Sequence, residues 1–320
     1  MITDVVFRSL RSRSRLIPVE ELLNGCAGSR MPEVIPDLLT AQIAITAATV
    51  CPTGAIKTET RDPDGVAVRL DYGECIGCGR CIDVGEGAIR LATSFSQSGV
   101  SREELVRTWR VGSRTEEGGQ VTPSVARDQV YALLGRALNI RQLDPGSCNG
   151  CEAEITALTS PYYDLERFGI HFVASPKHAD MLLVTGPITR NMAAAVMKTY
   201  EAVPSPKLVV AVGACGCSGG IFDSGPSDLV EIRAGTSRPV VSSTATGGIL
   251  SLNKEILGPV NTLLPVDGYI PGCPPTPAML VSGIIEVLGR SKSQSSTRMA
   301  RKGRCAFPAP LPREPDPQKT

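Results

Sequence analysis

The sequence lacks an excess of charge of either sign, and it lacks any long apolar run. Its 320 residues carry 33 Lys and Arg against 32 Asp and Glu, which gives a formal net charge of +1. Nucleic-acid-binding proteins usually present a basic surface, so the composition favours no nucleic-acid partner. No apolar stretch approaches the ~18 residues of a transmembrane helix, and we predict no direct membrane span.

An apolar segment is also missing behind the arginines of MITDVVFRSLRSRSR, where a secretory signal would have one. We therefore expect a cytoplasmic protein. In that reducing compartment, the 11 cysteines favour metal ligation or redox chemistry over disulfide bonds.

Composition divides the chain into five segments. They are an arginine-bearing arm (1–35), a cysteine-rich segment (36–95), a Ser-, Gly- and Thr-rich linker (96–123), an apolar segment (124–290) and a disordered tail (291–320). Short helical patterns are predicted at VEELL in the arm and at REELVRTW in the linker. AIKTETRDPDGVAVRLDY predicts two strands around a turn, and the apolar segment alternates strands with helices, which predicts a parallel sheet covered on both faces.

The cysteine-rich segment has half of a ferredoxin pattern. Bacterial 4Fe-4S ferredoxins run C-x2-C-x2-C-x3-C-P, and with two clusters the fourth cysteine of each run ligates the other cluster. Cys51, in CPTGAI, has the position of a fourth cysteine, and CIGCGRC supplies Cys75, Cys78 and Cys81. These are the four ligands of one complete cluster.

The ligands of the other cluster are missing. The first three positions of the first run read Ala41, Ala44 and Ala47, and the fourth position of the second run falls on Gly85 by spacing or on Val84 by alignment of GEGAI with PTGAI. The segment thus resembles a bacterial-type ferredoxin domain that has lost one 4Fe-4S cluster and kept the other. A structural zinc site could use the same four thiolates, but it does not explain why the losses fall on one cluster.

The apolar segment has four further cysteines in three motifs. Cys148 and Cys151 stand in GSCNGCEAEI, Cys215 in GACGCSGGIF and Cys273 in YIPGCPPTP. Loops at the carboxyl ends of parallel strands converge on one crevice, so three loops could place four thiolates around one cluster. A dithiol redox site would leave Cys215 and Cys273 unexplained, and GACGCSGG does not match the G-x-G-x-x-G of dinucleotide-binding loops.

These three motifs resemble the small, electron-transferring subunit of membrane-associated nickel-iron hydrogenases of the formate hydrogenlyase type, a family homologous to the 20 kDa subunit of respiratory complex I. The resemblance covers about residues 136–290. It implies a flavodoxin-like domain that holds one 4Fe-4S cluster beside a separate catalytic subunit. The family's ligands match Cys148, Cys151, Cys215 and Cys273, and a family glutamate matches Glu154.

Three features depart from this family or from its relatives. Complex I subunits have adjacent first cysteines, whereas Asn149 and Gly150 separate them here, which favours the hydrogenase branch over the quinone-reducing one. Cys217 is an extra thiol, although Cys215 is the preferred ligand because it follows GA. The segment 223–252 reads as an inserted surface loop.

The sequence therefore predicts an α/β protein, with a flavodoxin-like parallel-sheet domain preceded by a small α+β ferredoxin-like domain. The expected cofactors are two 4Fe-4S clusters. The expected partners are a hydrogenase large-subunit-like protein and further subunits of a membrane-associated complex, which would hold the chain at the cytoplasmic membrane. The two cluster-bearing halves are expected to be separable at the linker.

Two alternatives stay open at this point. One is a complex I-like module that passes electrons toward quinone, and the other is a cluster-bearing redox sensor, for which we find no output domain. His171 and His178 are expected to be ordinary histidines because the thiolates suffice as ligands. Cys26 and Cys305 are isolated and have no assigned role.

Overall fold

The computed structural model describes residues 30–61, 65–93, 97–111, 137–222 and 255–298. We call the part up to residue 111 the amino-terminal module and the part from residue 137 the sheet domain. Within these ranges no helix is both long and apolar enough to span a membrane.

The amino-terminal module contains short strands and two helices. In chain order these are β1 Pro32–Val34, α1 Ala41–Val50, β2 Ile56–Arg61, β3 Gly65–Asp71, α2 Arg80–Asp83, β4 Ile89–Leu91 and β5 Val106–Arg110. The strands β2, β3 and β5 form an antiparallel sheet in that order, and β1 pairs with β4. The β2–β3 pairing confirms the two strands predicted around the turn.

Helix α1 occupies the segment in which the ferredoxin pattern has lost its cysteines. The side chain of Thr40 caps it by accepting a hydrogen bond from the Ile43 amide at 3.2 Å. Alanine is the strongest helix former, and Ala44 and Ala47 lie fully buried on the same face of the helix as Ile43. Without ligands to hold it as a loop, the segment folds as an ordinary packed helix.

The sheet domain is built on five parallel strands. Its elements are β6 Leu138–Leu143, α3 Gly150–Ala157, β7 Ile170–Phe172, β8 Met181–Thr185, β9 Ile188–Thr189, α4 Arg190–Ala202, β10 Leu208–Val212, α5 Gly213–Ser218, β11 Ile256–Gly258, β12 Gly268–Ile270 and α6 Pro277–Arg298. The spatial order is β7-β6-β8-β10-β12, with every pairing parallel. This is the 2-1-3-4-5 order of flavodoxin-like folds, so the predicted α/β fold is confirmed.

The sheet is buried on both faces, as parallel sheets generally are. Met181 and Leu183 of β8 belong to one apolar cluster with helix α6, while Leu182 and Val184 belong to a second. This second cluster also contains residues of the amino-terminal module, among them Trp109 on β5. The two parts of the protein therefore share one continuous hydrophobic core.

The predicted linker at 96–123 is wrong in its first part. REELVRTW forms a 3-10 turn at Glu103–Leu105 followed by strand β5, because β3 offers a free edge with which β5 pairs. Just before it, the amide of Gly99 donates to the carbonyl of Tyr269 on β12 at 3.1 Å, and the amide of Tyr269 donates to the carbonyl of Gly99 at 2.8 Å. Residues 97–111 therefore attach the module to the sheet domain.

Two other segment boundaries need correction. The arm predicted at 1–35 ends in strand β1, which pairs with β4. Helix α6 continues to Arg298, into the tail predicted at 291–320. The predicted VEELL helix, Cys26, Cys305 and the insertion at 223–252 lie outside the described residues.

The shared core changes the expectation that the halves separate at the linker. Deleting residues 1–95 would leave β5 without β3 and expose the part of the sheet-domain core that the module covers. We expect this truncated chain to lose cooperative folding, which thermal unfolding followed by circular dichroism measures.

The matched control divides the chain between residues 112 and 136 and expresses both fragments together. Because each fragment then keeps its strand pairings, we expect the two fragments to purify as one soluble complex. A truncated chain that unfolds cooperatively like the full chain would contradict the shared core.

Candidate metal centres

Four cysteines meet at the carboxyl edge of the parallel sheet. Cys148 and Cys151 follow β6, Cys215 follows β10 and Cys273 follows β12. Their sulfurs are close enough to influence one another's ionisation. We call Cys148, Cys151, Cys215 and Cys273 the sheet-domain thiol set, and the structure brings together all four as the sequence predicted.

Side-chain and backbone hydrogen bonds shape the loop that carries the first two cysteines. Asp144 accepts from the amides of Gly146 at 2.8 Å and Ser147 at 2.7 Å, which turns the chain directly after β6. Asn149 then has a left-handed conformation with φ 67°, and helix α3 starts at the next residue. Left-handed backbone is most accessible to Gly and Asn, so this asparagine suits the turn between the two cysteines.

Glycines leave room for the backbone to approach the sulfurs. A Cβ atom on Gly213 would lie 2.7 Å from the Cys151 sulfur, and one on Gly220 would lie 2.7 Å from the Cys215 sulfur. Both glycines have positive φ, which other residues rarely adopt. The bare backbone beside Cys151 and Cys215 and the set of four thiols suit the donor chemistry of a 4Fe-4S cluster.

The electrostatics of the sheet-domain thiol set require a positive charge. The pKa of the Cys215 thiol is raised to about 12, mainly by burial and then by the neighbouring Cys273 and Cys148. The pKa of Cys151 is also raised. Burial is the largest cause, and the adjacent Glu152 is the next largest. Four thiolates would repel one another here, so iron binding has to displace their protons and supply the compensating charge.

Cys217 does not belong to this set. It is 1% exposed, and its thiol donates to the carbonyl of Ala211 at 3.8 Å. Burial raises its pKa to about 12, which keeps it protonated. Helix α5 places Cys215 toward the other thiols and Cys217 toward the core. This arrangement agrees with the choice of Cys215 over Cys217 as the candidate ligand.

Glu152 is a residue that the sequence analysis missed. It is 8% exposed beside Cys151, and neither of its carboxylate oxygens has a hydrogen-bond partner among the described residues. Glu152 lies three residues before Ile155, which is buried on the same face of α3. This spacing could have predicted that Glu152 is buried. Glu154, which the resemblance singled out, is only partly buried.

A second group of four thiols lies in the amino-terminal module. Cys75 and Cys81 are buried, Cys51 is partly buried and Cys78 is exposed. All four line one cavity together with the backbone of Gly77. We call Cys51, Cys75, Cys78 and Cys81 the amino-terminal thiol set, and the structure again brings together the four predicted residues.

Burial and a backbone donor set the chemistry of this cavity. The pKa of Cys75 is raised to about 12 and that of Cys81 to about 11. Burial is the largest cause of both shifts, and the other thiols of the set are smaller causes. The amide of Gly77 donates to the Cys75 sulfur at 3.5 Å, which is the kind of bond that stabilises a thiolate ligand. The donor set and the bare backbone at Gly77 and Gly79 fit one 4Fe-4S cluster.

The place of the lost cluster is filled by protein. Ala44 and Ala47 are buried in α1, which packs against α2. At Gly85 a Cβ atom would lie 2.8 Å from both the Cys81 carbonyl oxygen and the Ile89 Cβ. No ligand side chain fits there, which agrees with the loss of this cluster from the sequence pattern.

A structural zinc site needs its four thiolates close together. Four thiolates on one zinc ion would lie roughly 3.8 Å apart, given Zn–S bonds of about 2.3 Å. In the described part of the chain, no three His, Cys, Asp or Glu side chains form a group that could hold one metal ion. His171, on β7, lies 4.0 Å from Glu166, and His178 is exposed in a 3-10 turn.

The fold and the thiols together define a class of protein, in which a flavodoxin-like domain presents four cysteines at the carboxyl edge of its sheet. Residues 148–287 match the family described as NADH ubiquinone oxidoreductase, 20 kDa subunit. The probable membrane-bound hydrogenase subunit of Pyrococcus furiosus is 36% identical over 160 residues, which cover 50% of this chain and 79% of that protein. The chain belongs to the NADH ubiquinone oxidoreductase 20 kDa subunit family.

Other relatives share the same region. Formate hydrogenlyase subunit 7 of Escherichia coli is 42% identical over 156 residues, which cover 49% of this chain and 50% of that subunit. The chain thus spans about half the length of this curated relative. Among solved structures, the membrane-bound sulfane sulfur reductase, an archaeal respiratory membrane complex, matches with 28% identity and a TM-score of 0.36 over 50% of this chain and 73% of that chain.

Proposed function

We propose that this chain is the iron-sulfur electron-transfer subunit of a hydrogenase complex of the formate hydrogenlyase type. The amino-terminal thiol set and the sheet-domain thiol set would each hold one 4Fe-4S cluster. The sheet-domain cluster would lie next to a separate catalytic large subunit. The observation that carries the proposal is the convergence of two complete four-thiol sets in one chain of this family.

The roles of the chain's own residues follow from their positions. When bound, a 4Fe-4S cluster supplies one-electron redox chemistry, with a potential set by charge, hydrogen bonds and exposure. The cysteines provide the thiolate ligands, and the amide of Gly77 donates to one sulfur of the amino-terminal set. The buried Glu152 side chain lies beside Cys151 and would form part of the polar environment of the sheet-domain cluster.

Partners are proposed from exposure and from the relatives. Cys148 and Cys273 are exposed, so the sheet-domain thiol set faces outward, where a large subunit could cover it. The separation of Cys148 and Cys151 by two residues supports the hydrogenase branch over a complex I-like module. Further subunits would hold the chain at the cytoplasmic face of the membrane.

Metal analysis after anaerobic purification tests the proposal. We expect about eight irons and about eight acid-labile sulfides per chain, and no stoichiometric zinc, because each thiol set holds one cluster. A value near twelve irons would mean that the lost cluster is present after all, and one zinc per thiol set would refute the electron-transfer role. Copurification of a nickel-containing large subunit would distinguish a hydrogenase from a quinone-reducing relative.

A further inference from the structure

The hydroxyl of Ser218 touches the backbone of both cluster-bearing parts. Its oxygen lies 2.8 Å from the carbonyl oxygen of Gly73 in the amino-terminal module and 3.0 Å from that of Ala214 in the sheet domain. The amide of Gly220 donates to the same oxygen at 3.2 Å. The hydroxyl has a single proton, which the two carbonyls share, while the Gly220 amide donates to the hydroxyl oxygen.

Both carbonyls stand close to ligands along the chain. Ala214 directly precedes Cys215 of the sheet-domain thiol set, and Gly73 stands two residues before Cys75 of the amino-terminal thiol set. A continuous path of covalent and hydrogen bonds therefore joins the two sets through a single side-chain oxygen. A path through covalent and hydrogen bonds couples two redox centres better than a gap in space of the same length. The hydrogen bonds between Gly99 and Tyr269 also join the two parts, but Gly99 stands far along the chain from any cysteine of the amino-terminal thiol set.

The amino-terminal end of this path is held rigidly. Arg102 donates to both carboxylate oxygens of Asp71, at 2.7 and 2.9 Å, and the amide of Gly73 donates to Asp71 at 2.9 Å. The guanidinium also packs on Gly73, since a Cβ atom there would lie 2.8 Å from its carbon. These contacts fix the direction of the Gly73 carbonyl toward Ser218.

We propose that the Ser218 hydroxyl is the bridge through which an electron passes between the two thiol-bound clusters. The inference rests on the proposed function. One electron leaves one cluster and enters the other, so that the first is oxidised and the second reduced by one unit, and no atom or proton is transferred. Ser218 would act by electronic coupling, since the carbonyls on either side are already fixed by their own modules.

The test compares Ser218→Ala with the unchanged chain, both loaded with clusters. One cluster is reduced by one electron from a flash-excited photosensitiser with a sacrificial donor, and electron redistribution is followed by electron paramagnetic resonance on rapidly frozen samples. We expect the redistribution to slow several-fold in Ser218→Ala. The magnetic interaction between the two reduced clusters depends on their separation, and we expect it to be unchanged.

Two further variants sharpen the comparison. Ser218→Thr keeps the hydroxyl and should restore the rate. Thr199→Ala removes a hydroxyl that donates to a helix carbonyl at 2.8 Å on the exposed side of α4, and it should leave the rate unchanged.

Three results would overturn the inference. One is an unchanged rate in Ser218→Ala, and another is a slower rate with an altered magnetic interaction, which would show that the serine only sets the distance between the modules. The third is failure of Ser218→Thr to restore the rate. Absence of iron and sulfide from the unchanged chain would instead overturn the proposed function, and with it the bridge.

Discussion

Replacing Cys215 by serine is expected to halve the iron content of the chain, from about eight to about four atoms, because a 4Fe-4S cluster needs its full set of thiolates. The loss should fall on the sheet-domain cluster alone. Its electron paramagnetic resonance signal should disappear, while the signal of the amino-terminal cluster stays. Iron analysis and spectroscopy on the anaerobically purified variant measure both effects.

Cys217→Ser is the matched control, since it changes the same atom two residues further along helix α5. Its thiol faces the core and donates to Ala211, so the variant should keep all of its iron. A hydroxyl in this buried position should cost about 1 kcal/mol of stability at most, because it can still donate to that carbonyl. Equal iron loss in both variants would show that Cys217 is a ligand.

Replacing Arg102 by alanine is expected to lower the free energy of unfolding by about 3 kcal/mol, because it removes the two-pronged partner of the buried Asp71 carboxylate and leaves only Arg69, at 3.9 Å, as a counter-charge. The Asp71 side chain is 4% exposed and that of Arg102 21% exposed, so water replaces the lost bonds poorly. Urea unfolding followed by tryptophan fluorescence suits this measurement. Trp109, the single tryptophan, lies buried on β5 beside this segment.

Two control variants distinguish the effect of breaking the buried Asp71–Arg102 pair from the effect of removing any surface charge. Arg90→Ala removes an exposed partner of Glu33 at 3.4 Å and should cost less than about 1 kcal/mol. The double variant Asp71→Ala, Arg102→Ala should be more stable than Arg102→Ala, because no buried charge is then left unpaired. A double variant less stable than either single variant would contradict this account.

Much of the site could be predicted from the sequence because its chemistry is local. The gaps between Cys75, Cys78 and Cys81 follow from the geometry of one cluster, and each gap is visible without knowledge of the fold. The parallel sheet was also predictable, since buried strands such as Met181–Thr185 are continuous apolar runs. The convergence of Cys148 and Cys273 then follows from the common edge of such a sheet.

The connection between the two parts could not be predicted, because it depends on residues far apart in the chain. Nothing in the sequence pairs Gly99 with Tyr269 or Ser218 with Gly73, and no partner taken alone belongs to a recognisable motif for such a contact. Strand β5 reads as a helical pattern, and only the free edge of β3 turns it into a strand. Tertiary context overrode local preference at these places.

Helix α1 also has a consequence for how the protein matures. In a two-cluster ferredoxin, both ends of the module need iron and sulfide to become ordered. Here Ile43, Ala44 and Ala47 pack one end of the module with protein side chains alone. That end needs no metal for its packing. Under the proposed function, maturation of this module would require the insertion of a single cluster, at the cavity lined by the amino-terminal thiol set.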